Sequence, residues 1–282
     1  MRTAARVLVV AAIATAPGFA VAAGEDELVS LINARRAETR GCGGAREAAV
    51  GPLAPSSLLA RVDASAAAGD LAKALIAVGY RAATATTLIL SGVADAGAAA
   101  RLVEQQHCDV VRNRRYAEIG VARSGSRWRV NLAALHLAGD LGDWREAGRA
   151  VLGLVNDARR RGGTCGTQRF AATAPLAWND QLAAAALGHA RDMAEHEYFD
   201  HADRGGRGVA ARARERGYAW RAIGENIAAG QGSPQQVVAG WLASPGHCAN
   251  ILSPEFREMG IAYALNPQAA LEIYWTQVFG AR

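Results

Sequence analysis

His201, Glu225 and His247 are the residues of this chain whose types best suit chemistry. His201 closes the triplet Phe199-Asp200-His201, Glu225 sits in Gly224-Glu225-Asn226-Ile227, and His247 follows Ser244-Pro245-Gly246. Two imidazoles and one carboxylate are the ligand set of many catalytic zinc centres, which leave a fourth position to water. A divalent metal there, zinc above all, would lower the pKa of that water to about 7 and make it a nucleophile. Without a metal, Glu225 is the candidate general base, with a histidine as its partner. A purely structural arrangement is also open, in which the three groups form a hydrogen-bonded cluster pinning separate loops, because buried polar groups need partners. The ligand separations match no compact zinc signature. His196-Glu197 is followed by His201 one residue too late for an H-E-x-x-H helix, and no G-x-S-x-G elbow occurs.

Three groups so far apart in sequence meet only if the elements around them converge. Glu25–Arg36 and Trp144–Arg161 read as opening helices, apolar at Leu28, Leu31 and Ile32 and at Val151, Leu154 and Val155. Asn179–Glu197 reads as a longer helix whose apolar face includes His189, a core histidine on this pattern. Pro234 after Ser233 marks a helix start, and that helix is expected to run to Ala243. Glu258–Leu265 and Leu271–Phe279 read as a hairpin turning at Asn266-Pro267, with counterparts at Glu118–Arg123 and Arg127–Leu132. His201 falls in a polar, Gly-rich loop, and the glycine beside Glu225 suggests a flexible segment from which the carboxylate turns inward. Helices mixed with a few antiparallel strands predict an α+β sandwich.

The chain has 282 residues, 51% hydrophobic and 20% charged, enough for two modest domains. Arg2 and Arg6, the apolar run Val7–Ala16 and the small residues Ala20-Val21-Ala22-Ala23 read as a signal peptide over residues 1–23, too short to span a bilayer. With two of the 31 basic residues in that leader, 29 remain against 26 acidic ones, too mild a balance for nucleic-acid binding. The expected mature protein is secreted or periplasmic and does not span a membrane.

Export gives the four cysteines meaning, because disulfides persist outside the cytosol. The halves repeat each other. Leu31-Ile32-Asn33, Cys42-Gly43 and Pro52-Leu53 recur as Leu154-Val155-Asn156, Cys165-Gly166 and Pro175-Leu176. His107-Cys108 and Glu118-Ile119-Gly120 recur as His247-Cys248 and Glu258-Met259-Gly260. A collinear series of this kind indicates a tandem duplication, with domains at residues 24–135 and 145–282. Each copy should close its own loop, which pairs Cys42 with Cys108 and Cys165 with Cys248. Loops this long contribute roughly 4 kcal/mol each on chain-entropy arithmetic.

The C-terminal half resembles the CAP superfamily, also called the SCP or pathogenesis-related-1 domain, in its bacterial secreted branch. The resemblance rests on Phe199-Asp200-His201, Gly224–Ile227, Ser244–Leu252, Glu258–Ala262 and Tyr274–Val278, and it covers residues 146–280. It implies an α-β-α sandwich whose central cleft carries two histidines and two acidic residues and can hold a divalent metal. His201, Glu225 and His247 match three of those positions, and Ser244 falls on the fourth, where a carboxylate is expected. The N-terminal half looks like a degenerate copy: Thr87 and Leu88 stand opposite Glu225 and Asn226, Glu104 opposite Ser244, and only His107 survives at a site position. The resemblance implies a ligand- or partner-binding module taking a lipid, a peptide or a cell-envelope component. The other activity it admits is metal-assisted hydrolysis at the same cleft.

Overall fold

The computed structural model describes residues 23–62, 71–135 and 141–282. The expected leader, apart from Ala23, and most of the expected boundary between copies lie outside the described residues. The first lobe comprises α1 (Ala23–Ala37), β1 (Ala54–Pro55), α2 (Ser57–Ala60), α3 (Leu71–Ala77), β2 (Ala82–Leu90), α4 (Ala96–Val111), β3 (Glu118–Ser124) and β4 (Arg127–Leu135). The second opens with α5 (Trp144–Arg161), β5 (Gly163–Cys165), β6 (Gln168–Phe170), β7 (Ala177–Trp178), α6 (Asp180–His196) and α7 (Val209–Glu215). It ends with β8 (Ala222–Ala229), α8 (Pro234–Leu242), α9 (Pro245–Leu252), β9 (Glu258–Leu265) and β10 (Ile273–Ala281). Among the described residues no helix is long and apolar enough to cross a membrane.

Each lobe is an α-β-α sandwich around one four-stranded sheet, and the two sheets share a topology. The order β1-β3-β4-β2 returns as β7-β9-β10-β8, with the short first strand parallel to its neighbour and the other pairs antiparallel. Alternation along β9 sends Met259, Ile261 and Tyr263 to a core shared with α5, α8 and α9, while Ala262 faces Leu182 and Ala186 of α6. Gly260 of β9 lies against α6, where a Cβ would come within 2.0 Å of the Ala183 nitrogen; a Cβ at Gly120 would likewise come within 2.3 Å of the Ala60 nitrogen.

The internal contacts repeat as closely as the topology. Asn33 exchanges two hydrogen bonds with the backbone of Leu53, and Asn156 does the same with Leu176. Buried Arg36 donates to the carbonyls of Gly51, Val111, Asn113 and Tyr116; Arg159 donates to those of Ala174, Ile251, Ser253 and Phe256. Burial pulls both guanidinium groups down, Arg36 to about 9 and Arg159 to about 10. Tyr80 donates to Glu118 as Tyr218 does to Glu258. The disulfides are Cys42–Cys108 and Cys165–Cys248, as the repeat requires.

Helix ends follow the sequence signals closely. Asn179, Asp143 and Ser233 cap α6, α5 and α8 through their side chains, and Pro234 takes the first turn of α8. Two local readings change. The hairpin strand starts at Ile273 rather than Leu271, because the chain still turns through Glu272 with φ +53°. In the first lobe β4 runs on to Leu135, beyond the expected end at Leu132, because it pairs with β2 as far as Ala82.

The lobes are in contact, and their contacts are polar as well as apolar. The Gln231 amide donates to the carbonyls of Pro52 and Ala117, the Gln236 amide to Glu118, and the Asn33 amide to the Ala243 carbonyl. Ala243 packs against the first lobe's core, and Gly240 lies against Ala54.

Candidate functional site

Glu225 lies within an extended strand, not a flexible segment. In β8 it pairs with Val278 of β10, and strand alternation rather than glycine freedom aims its side chain inward. Gly224 serves packing, since a Cβ there would come 2.7 Å from the Phe256 ring. The same register places Thr87 opposite Asn131 in the first lobe, across from Gly120 as Glu225 is across from Gly260. The hydroxyl of the degenerate copy therefore occupies the carboxylate's place in the sheet.

A buried carboxylate needs compensation. Arg212 of α7 supplies it, donating to Glu225 Oε2 at 2.5 Å, while His201 Nδ1 meets Oε1 at 2.9 Å. Arg212 also donates to the carbonyls of His201 and Arg207, so one guanidinium fixes the carboxylate and the loop that carries the imidazole. The side chain of His201 is 55% exposed, against 2% for Glu225. Only the imidazole can meet a ligand. With Nδ1 turned to the carboxylate, the other ring nitrogen of His201, Nε2, is the one left for a ligand.

His247 comes from α9. Ser244 is the N-cap residue of α9 by position, but its hydroxyl is bonded to His247 Nδ1 at 2.8 Å instead of to the helix. Proline at the first turn starts a new helix here, where the turn after α8 was expected simply to end one. In the first lobe the two helices stay merged as α4, kinked at His107 (φ −137°). Asn226 donates to the His247 carbonyl and Asn250 donates to Asn226 and to the Glu225 carbonyl, binding α9 to β8. Desolvation, helped by repulsion from His201, holds the His247 imidazole down at about 3, so it stays neutral. His189 lies in the core, as its helix face predicts, with Nε2 on the Asp200 carbonyl at 2.9 Å and its pKa lowered, chiefly by burial.

His201 and His247 share a cavity of about 130 Å³, also lined by Ala37, Val50, Phe199 and Ile227. A larger groove of about 1150 Å³ runs between α3 and β2 in the first lobe. It is not where the imidazoles and the carboxylate converge, so volume alone does not mark the candidate site. Glu104, opposite Ser244 in the repeat, is bound to Arg35 at 2.6 Å, so it does not make a second site with His107.

The donor set does not fit a two-histidine, one-carboxylate metal centre. Both Glu225 oxygens are committed to Arg212 and His201, and Ser244 brings no charge. Among the described residues no three His, Cys, Asp or Glu side chains are grouped to hold a metal. Sequence reasoning missed Arg212, because nothing distinguishes it from Arg207, Arg214 and Arg216 around it. The one available signal was that an interior carboxylate must find a cation, and this Arg-rich stretch is the nearest source.

Residues 152–279 match the family model of the cysteine-rich secretory protein family, CAP. Two proteins of Bacillus subtilis are similar to it. The uncharacterized protein YkwD is 34% identical over 105 residues, which cover 37% of this chain and 39% of YkwD. The uncharacterized membrane protein YlbC is 33% identical over 88 residues, 31% of this chain and 25% of YlbC. This chain thus spans well under half the length of either relative. Among solved structures, an extracellular SCP-domain protein of Bacillus anthracis is 24% identical at a TM-score of 0.43, covering 55% of this chain and 52% of that one.

Proposed function

We propose that this chain is an exported binding module of the cell envelope, with a degenerate copy at residues 24–135 and a ligand-binding CAP domain at residues 145–282. Its cleft takes one small amphipathic group of a lipid, a peptide or another envelope component. The observation that carries this reading is the double commitment of Glu225. With one oxygen on Arg212 and the other on His201, the carboxylate serves as a counter-ion and orients the imidazole. What faces the cavity is then a hydrogen-bonding Nε2 beside Val50, Phe199 and Ile227, a polar anchor in an apolar wall. Two disulfides and the leader-like opening support export.

Hydrolysis is the second reading, and the His201–Glu225 pair favours it, since a carboxylate on Nδ1 orients a histidine to accept a proton at Nε2. Calorimetry of the oxidised chain against short peptides and short-chain phospholipids separates the two. Binding is expected without turnover, and it should be lost in His201→Ala. Turnover of an ester or peptide substrate that disappears in His201→Ala, with thermal stability unchanged, would establish the hydrolase instead.

A further inference from the structure

The wall of the cavity over His247 does not come from the CAP domain alone. Ala37, Thr39, Ala49 and Val50 belong to the end of α1 and to the segment that follows it; Phe199, Asp200, His201, Ile227 and His247 belong to the second lobe. Val50 is 6% exposed, and at its neighbour Gly51 a Cβ would lie 3.3 Å from the Phe199 ring and 3.6 Å from the Ala229 nitrogen. The two surfaces are in van der Waals contact beside the imidazoles.

This covering segment is tied to the first lobe at several points. Cys42 ties it to Cys108 on α4. Arg112, at the end of α4, donates to the carbonyls of Arg35, Glu38 and Ala48, bracing the segment from one end to the other. Arg36 holds the Gly51 carbonyl at 2.7 Å. Gln231, Gln236 and Asn33 then bind the lobe carrying this segment to the lobe carrying the histidines. The first copy lacks its own Glu225 and His201 equivalents but keeps its disulfide and the buried arginine that holds the Gly51 carbonyl, and adds Arg112 where the second copy has Leu252.

We infer that the degenerate copy is the fixed gate of the C-terminal cleft, a size filter that leaves His201 open to solvent and narrows the approach to the half-buried His247. This rests on the cleft being the binding site and deepens that reading. The magnitude decides what passes. A cavity of about 130 Å³ holds roughly four waters at about 30 Å³ each, far below the several hundred Å³ of pockets that enclose a whole drug-sized ligand. An acyl chain or a folded peptide is excluded while the lobes stay docked. One small side chain, chain end or short acyl terminus fits, and Val50 and Thr39 set its length.

Diethyl pyrocarbonate footprinting with peptide mass mapping tests the gate without any knowledge of the ligand. In the intact oxidised chain, His201 is expected to react readily and His247 several-fold more slowly, as for a half-buried group at the bottom of a narrow cleft. Val50→Gly, which removes one wall side chain without disturbing a hydrogen bond, should raise the His247 rate several-fold. Gly51→Trp, a wedge against Phe199, should bring His247 close to the His201 rate. Reaction of His247 as fast as His201 in the unaltered chain would overturn the proposal. So would a His247 rate unchanged in both variants, which would assign the protection to the second lobe itself. If no peptide or phospholipid binds while the protection pattern holds, the ligand reading fails and the gate stands.

Discussion

At the residue scale, Arg212 determines what Glu225 can do. A carboxylate buried beside a guanidinium at 2.5 Å is a counter-ion first, and its remaining oxygen sets the orientation of His201. Removing the cation leaves an uncompensated buried charge, which costs about 3–5 kcal/mol when one partner of such a pair is lost. Arg212→Leu should therefore lower the unfolding free energy of the C-terminal lobe, read from denaturant unfolding, by an amount in that range. Arg212→Lys should recover part of it, since an ammonium restores the charge but not the fork that also holds the carbonyls of His201 and Arg207. An Arg212→Leu chain as stable as the parent would show that Glu225 has another partner. The catalytic types in this cluster were legible from the sequence, because two histidines and a glutamate sat in turn-forming or aromatic surroundings. Their chemistry was not, because the deciding residue is one arginine among several in a short helix.

At the element scale, α9 is the piece that must be placed, and it is held on three sides. Cys248 bonds it to Cys165 at the end of β5, Arg159 takes the Ile251 and Ser253 carbonyls, and Asn226 takes the His247 carbonyl. Charging His247 would work against all of these. Its folded pKa of about 3 lies below the ordinary value of 6.5, so the unfolded chain binds the extra proton first. Stability from its neutral form is complete above about pH 6.5 and is lost as pH falls toward 3. His189 is lowered in the same direction and adds to the slope, while His201 opposes protonation of both. Thermal unfolding followed from pH 7.5 to 4 should fall more steeply in the parent than in His247→Gln. Equal slopes would place the acid sensitivity at His189 alone. The elements read from the sequence were legible in their bounds: Ser233 and Pro234 marked the start of α8, and apolar periodicity gave α1, α5 and α6 to within about two residues. The break between α8 and α9 was less so, since Ser244-Pro245 ends one helix and starts the next, and a proline signals both.

At the scale of the whole molecule, the repeat offset paired the cysteines and aligned Thr87 with Glu225, an alignment that the sheet register of both lobes reproduces. The docking of one copy onto the other's cleft was not legible. It depends on contacts such as Gln231 with Pro52 and Gly51 with Phe199, which join segments far apart in sequence and follow no period. The resulting picture is one small cleft with its charges balanced by protein groups, walled partly by a copy that has Thr87 where this one has Glu225. Long-range proton–nitrogen NMR of the histidine rings, recorded on the intact oxidised chain at pH 8 before and after one equivalent of zinc, tests that picture most directly. The account predicts His201 as the Nδ1–H form with a bare Nε2, and the same ring signals for His201 and His247 after the zinc is added. Joint zinc-induced shifts of both rings, abolished in Glu225→Gln, would contradict it and make the carboxylate a metal ligand.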